Sequence, residues 1–90
     1  MGKPEVLILL GSDSDLPVVK DAIGFFKEMG VSFKIDISSA HRNPEKTTTY
    51  AKNARDDGFS VIIAVAGMAA HLPGVIASHT TLPVIGVPTG

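Results

Sequence analysis

Cysteine and tryptophan are absent from these 90 residues, and Tyr50 is the single tyrosine. Without cysteine there is no disulfide framework and no thiol nucleophile, which fits a reducing, cytoplasmic setting. Without tryptophan, and with one tyrosine, the chain lacks the aromatics expected over a flavin. Charge of either sign is also missing in excess. The formal net charge is -1, whereas a nucleic-acid binder is usually clearly basic. No block of like charge suggests a tail or a membrane-surface patch. No uninterrupted apolar run approaches the ~20 residues of a membrane span. Met1–Glu5 leads straight into an apolar run without a secretory-signal pattern, and Val6 stands where a myristoylation motif wants Ser or Thr. Low-complexity segments are absent, and nothing repeats beyond the βα unit. What is present, 44% hydrophobic and 19% charged residues, describes one globular domain or less, residues 1–90.

Apolar runs alternate with helical patterns. Glu5–Leu10 is almost continuously aliphatic, as in a strand buried on both faces. A helix follows, with Asp15 at its cap and Pro17 in its first turn. Val19, Ala22, Ile23, Phe26 and Met29 make its apolar face, and Gly30 stops it. In Val31–Ile37, apolar residues alternate with Ser32, Lys34 and Asp36, the pattern of an edge strand with one wet face. Asn43-Pro44 opens a second helix running to about Asp57 and Gly58. Its Thr47-Thr48-Thr49 run has poor helix propensity, so packing must hold it. Ser60–Ala66 is apolar throughout and reads as a central strand. A short helix over Pro73–His79 and a strand over Pro83–Pro88 complete the pattern. This β-α-β-α-β-α-β order predicts a three-layer α/β fold with a parallel, flavodoxin-like sheet. Parallel strands want both faces covered. No helix follows the fourth strand, so the domain is expected to be truncated there or covered by another chain.

Each of the first three strands ends in a small polar cluster, and in a parallel sheet these ends share the edge where ligands bind. Gly11-Ser12-Asp13-Ser14-Asp15 offers hydroxyls and backbone N–H groups at a helix N-terminus, suited to a phosphate. Asp15 is better suited to sugar hydroxyls. The bland alternative is that Ser14 or Asp15 only caps the helix. The cluster is neither a P-loop, nor a dinucleotide fingerprint, nor a nucleophile elbow. Asp13 and Asp15 lack a third carboxylate nearby in sequence, so no metal is expected. In Ser38-Ser39-Ala40-His41-Arg42-Asn43-Pro44, Arg42 can grip a phosphate with paired N–H bonds, and His41 can move protons near neutral pH. A solvated histidine beside a surface arginine is the alternative. In Gly67-Met68-Ala69-Ala70-His71-Leu72-Pro73-Gly74, small residues let backbone approach a ligand. Equally, they could simply make a tight turn pinned by His71. His79 reads as a surface or packing residue away from that edge.

Taken together, Gly11–Asp15, Ser39–Pro44 and Ala66–Gly74, with the trailing Leu82–Pro88, resemble the PurE family of purine biosynthesis. The resemblance covers essentially the whole chain, and the ordered set is specific where each motif alone is weak. It implies a 5-(carboxyamino)imidazole ribonucleotide mutase, an isomerase without cofactor or metal. Such an enzyme moves a carboxylate from the exocyclic nitrogen to ring C4 of a small-molecule ribonucleotide. It further implies a cytoplasmic homo-octamer with sites shared between subunits, and no nucleic-acid or membrane partner. By the same resemblance His41 is the catalytic acid/base. Ser14, Ser39 and Arg42 hold phosphate, and Ser12 and Asp15 contact substrate, with Asp15 on the ribose. Gly67, Met68, Ala69, Ala70, His71 and Leu72 line the base and carboxylate end.

Two other readings stay open. A sister class carboxylates aminoimidazole ribonucleotide directly, but departs from the Ala-Ala-His-Leu-Pro-Gly motif kept here. A non-catalytic flavodoxin-like nucleotide-binding fragment is the other. Family members continue past the fourth strand, so activity of the 90 residues is open. A phosphorylatable receiver is excluded, because the third strand ends in Ala66-Gly67 rather than an aspartate.

Overall fold

The computed structural model describes residues 5–12, 15–38, 44–67 and 72–88. In order it contains β1 (Val6–Leu10), α1 (Leu16–Met29), β2 (Phe33–Ile37), α2 (Pro44–Asn53), β3 (Val61–Ala66), α3 (Leu72–Ala77) and β4 (Val84–Pro88). All pairings are parallel, and the strand order is β2-β1-β3-β4. β1 and β3 are therefore internal and β2 lies at an edge, as the patterning predicts. No β1 residue exceeds 7% exposure, which is why that strand has no polar face.

Successive β1 residues feed two separate cores. Leu7 and Leu9 pack with Ala51, Ala54, Ile62, Leu72 and Ile76, on the face covered by α2 and α3. Val6, Ile8 and Leu10 pack with Val19 and Val65 on the α1 face, with Ile23, Phe26 and Phe33 partly buried against them. α1 presents Val19, Ile23 and Phe26 to the sheet, but Ala22 and Met29 are exposed. These two belong to a neighbouring stripe that also carries Val18 and Phe25, and it faces outward. The α1 apolar surface is thus wider than the single face expected from spacing.

α1 ends on a glycine as predicted, and a second glycine closes the turns that follow α2. Gly30 takes φ 72°, and Val31 N–H reaches Phe26 C=O at 2.9 Å. Gly58 takes φ 98°, and Phe59 N–H reaches Ala54 C=O at 3.0 Å. In each case a left-handed residue lets the following amide satisfy an orphan carbonyl. Regular α2 stops at Asn53, earlier than expected, and residues 54–57 continue as turns up to that glycine.

The edge strand β2 is tied to α2 by polar contacts as well. Asp36 accepts from Tyr50 Oη, from Ile37 N–H at 2.7 Å and from Lys46 Nζ at 3.3 Å. Lys34 Nζ lies 5.3 Å from the Tyr50 ring centroid. Desolvation alone would raise the Asp36 carboxyl. The hydrogen bonds from Tyr50, Ile37 and Lys46, with the Lys46 charge, outweigh it and hold the carboxyl below its ordinary value. The Tyr50 phenol is pushed up to about 12, first by burial and then by its bond to, and the charge of, Asp36.

A folded phenol that holds its proton longer than the unfolded one stabilises the fold below the ordinary tyrosine range. That contribution disappears as pH rises through the folded value. Tyr50→Phe should therefore flatten the alkaline decline, with the wild-type-minus-variant stability difference falling between pH 10 and about 12. Urea unfolding from pH 9 to 12 checks this, and a pH-independent difference would refute it.

Candidate active site

Because the strands are parallel, their carboxyl ends lie together. Leu10 is in register with Ile37 on one side and Val65 on the other. The residues that follow stay locked to one another. Gly11 N–H donates to Val65 C=O at 2.8 Å, and Ser38 N–H donates to Leu10 C=O at 2.8 Å. Gly11, Ser12, Asp15, Ser38 and Gly67 consequently sit along one sheet edge, although the sequence separates them by up to 56 positions.

Gly11 occupies this edge without a steric need for glycine. A Cβ there would meet Ala66 Cβ at 3.5 Å, an ordinary contact, and its φ is not positive. Asp15 N–H donates to Ser12 C=O at 3.1 Å, closing the turn between β1 and α1. Asp15 is the N-cap residue of α1, yet its side chain makes no capping hydrogen bond. It is 7% exposed. Ser12 is exposed, and Gly67 is half-buried behind the buried Ala66. Leu72 opens α3 with its side chain in the core. What it brings to the edge is a fixed starting point for that helix.

Ser14, Ser39, His41, Arg42, Met68, Ala69, Ala70 and His71 lie outside the described residues, as does Asp13. Their flanks are described. Residues 39–43 run between Ser38 and Pro44, and residues 68–71 between Gly67 and Leu72. His79 is exposed beyond α3, as expected. Among the described residues no three His, Asp or Glu side chains gather to hold a metal ion. No described helix is long and apolar enough to cross a membrane.

One contact behind the edge has no counterpart in the motifs. Ser38 Oγ and Thr47 Oγ1 are 2.7 Å apart, and both residues are fully buried. The poor helix propensity of the threonine run is the trace it leaves in the sequence. Packing does hold that run, through Thr47.

The family model described as AIR carboxylase matches residues 5–90. The N5-carboxyaminoimidazole ribonucleotide mutase of Pyrococcus horikoshii is 62% identical over 86 residues, 96% of this chain and 49% of that protein. The phosphoribosylaminoimidazole carboxylase of Saccharomyces cerevisiae is 54% identical over 88 residues, 98% of this chain and 15% of that protein. A crystal structure of Treponema denticola PurE matches with TM-score 0.85 and 28% identity, over 97% of this chain and 56% of that one. The chain spans about half the length of the mutase relatives it matches. With the carboxyl ends of β1, β2 and β3 gathered at one sheet edge, and with a family match that runs from Glu5 to Gly90, this chain belongs to the AIR carboxylase family.

Proposed function

We propose that this chain carries the substrate edge of an N5-carboxyaminoimidazole ribonucleotide mutase. The observation that carries the reading is the 62% identity to a protein of that name. It extends over a fold whose parallel register gathers the ends of β1, β2 and β3. The substrate is a ribonucleotide bearing a carboxylate on its exocyclic nitrogen. Arg42, helped by Ser14 and Ser39, holds the phosphate. Asp15 takes the ribose hydroxyls, and Ser12 contacts the substrate beside it. Gly67, Met68, Ala69, Ala70 and His71 line the base and carboxylate end, with Leu72 anchoring the segment. Gly11 leaves room for close approach that the fold itself does not require.

His41 moves the proton. It protonates the carbamate nitrogen as the N–C bond breaks and carbon dioxide is released into a closed site. A C4–carbon bond then forms, and the neutral imidazole of His41 removes the C4 proton. The proton lent in the first step is recovered in the last, so the cycle needs neither redox partner nor external base. The same reading places the protein in the cytoplasm as a homo-octamer with sites shared between neighbours. The outward stripe of Val18, Phe25 and Met29 on α1 supports further burial of this surface.

The 54% identity to a protein named as a carboxylase favours one second reading, direct carboxylation of aminoimidazole ribonucleotide. Supplying that nucleotide with bicarbonate separates the two. Turnover there, and none with the carbamate, would replace the mutase reading.

His41→Asn should lower carboxylate transfer by about 10²–10⁴-fold while leaving ribonucleotide affinity near wild type. Steady-state kinetics with parallel calorimetry tests this, and near-normal turnover would remove His41 from its role. Arg42→Ala should weaken ribonucleotide binding by roughly 1.5–3 kcal/mol and leave the dephosphorylated nucleoside almost unaffected. Equal losses for both ligands would refute a phosphate contact.

A further inference from the structure

The five residues 39–43 are bracketed by two direct links between the end of β2 and the start of α2. In the first, Ser38 Oγ meets Thr47 Oγ1 at 2.7 Å, with both residues at 0% exposure. In the second, Lys46 Nζ donates to Ile37 C=O at 2.8 Å. Ser38 is itself fixed to the central strand, through its N–H to Leu10 C=O at 2.8 Å. The start of α2 is therefore referenced to β1 through two consecutive hydrogen bonds, both out of solvent.

Packing alone does not call for hydroxyls here. Two apolar side chains of similar size would fill the same space without the cost of desolvating polar atoms. A hydroxyl pair adds direction, because it holds one distance and one orientation where an apolar contact tolerates sliding. We infer that Ser38 and Thr47 are positioning residues for the proposed reaction. They set the separation and register of the two ends of the segment that carries His41 and Arg42. Lys46, on the half-exposed side of the same junction, closes it from outside. This inference rests on the roles proposed above for His41 and Arg42. Reacting groups misplaced by about 1 Å can lose on the order of 10²-fold in rate, so a device that removes sliding has a catalytic consequence.

The test uses the full chain with Thr47→Val, Ser38→Ala/Thr47→Val and Thr47→Ser. Three quantities are read: the thermal midpoint, kcat and KM separately, and amide hydrogen exchange resolved over residues 39–43. The double variant leaves no orphaned hydroxyl, so it should melt close to wild type. Its exchange over 39–43 should rise at least tenfold, and kcat should fall by about tenfold or more with a smaller change in KM. Thr47→Ser, which keeps the hydroxyl, should recover both. Wild-type exchange over 39–43 in the double variant would overturn the inference. So would faster exchange spread evenly over all segments with a lowered midpoint, the mark of a purely structural role. A wild-type chain that binds no ribonucleotide and turns nothing over would instead defeat the mutase reading. The localised exchange would still decide whether the hydroxyl pair orders this segment.

Discussion

Parallel strands cannot be joined by a tight turn. Each connection must travel back along the sheet, and with L-amino acids it does so in a right-handed crossover. In this chain that requirement places α1 on one face and α2 and α3 on the other. It also makes β1 the strand against which both β2 and β3 form. Every strand then points its carboxyl end the same way. Gly11, Ser38 and Gly67, far apart in sequence, come to one edge because of strand direction. The same requirement dictates composition. A strand covered by helices on both faces can carry no polar side chain, and VLILL in β1 is the result.

Much of this was legible in the residues. Unbroken aliphatic runs marked the central strands, and the alternation of Phe33–Ile37 marked the edge. Gly30 marked the end of α1, and Gly58 the end of the turns after α2, because only glycine enters the left-handed region cheaply. Other features were hidden for physical reasons. Spacing alone made Met29 and Ala22 part of the buried face of α1. It could not show that the sheet reaches only the Val19–Ile23–Phe26 stripe and leaves its neighbour in solvent. Regular α2 ends at Asn53, and turns carry the chain on to Gly58. At the site, the motifs pointed to the edge. They could not reveal the Ser38–Thr47 bond, since the two residues are nine positions apart and neither type marks a long-range pair.

The two faces of the sheet are not covered alike. Beneath α2 and α3 the core closes around Ile62, Ala64 and Ile76. On the α1 face Ile63 and Val87 are only partly buried, and Ile85 is 52% exposed. One helix spans part of a four-strand surface, and its own outer stripe is apolar too. Neighbouring apolar side chains left together in water are characteristic of surfaces that meet other protein. The polar tether of Asp36, Tyr50, Lys34 and Lys46 works at the opposite margin. There a thin edge strand gains little from hydrophobic cover and is held by charge and hydrogen bonds.

The buried hydroxyl pair also bears on how the sequence can change over time. Losing either hydroxyl alone strands the other in a dry environment, an outcome worse than losing both. An apolar pair at positions 38 and 47 is a stable alternative, but the path to it crosses an unfavourable single substitution. The two positions are therefore bound to drift in step. Among relatives the expected signature is a correlated exchange between hydroxyl pairs and apolar pairs, with mixed pairs scarce. Such a signature would register the meeting of β2 and α2 in the sequences themselves, where neither residue on its own draws notice.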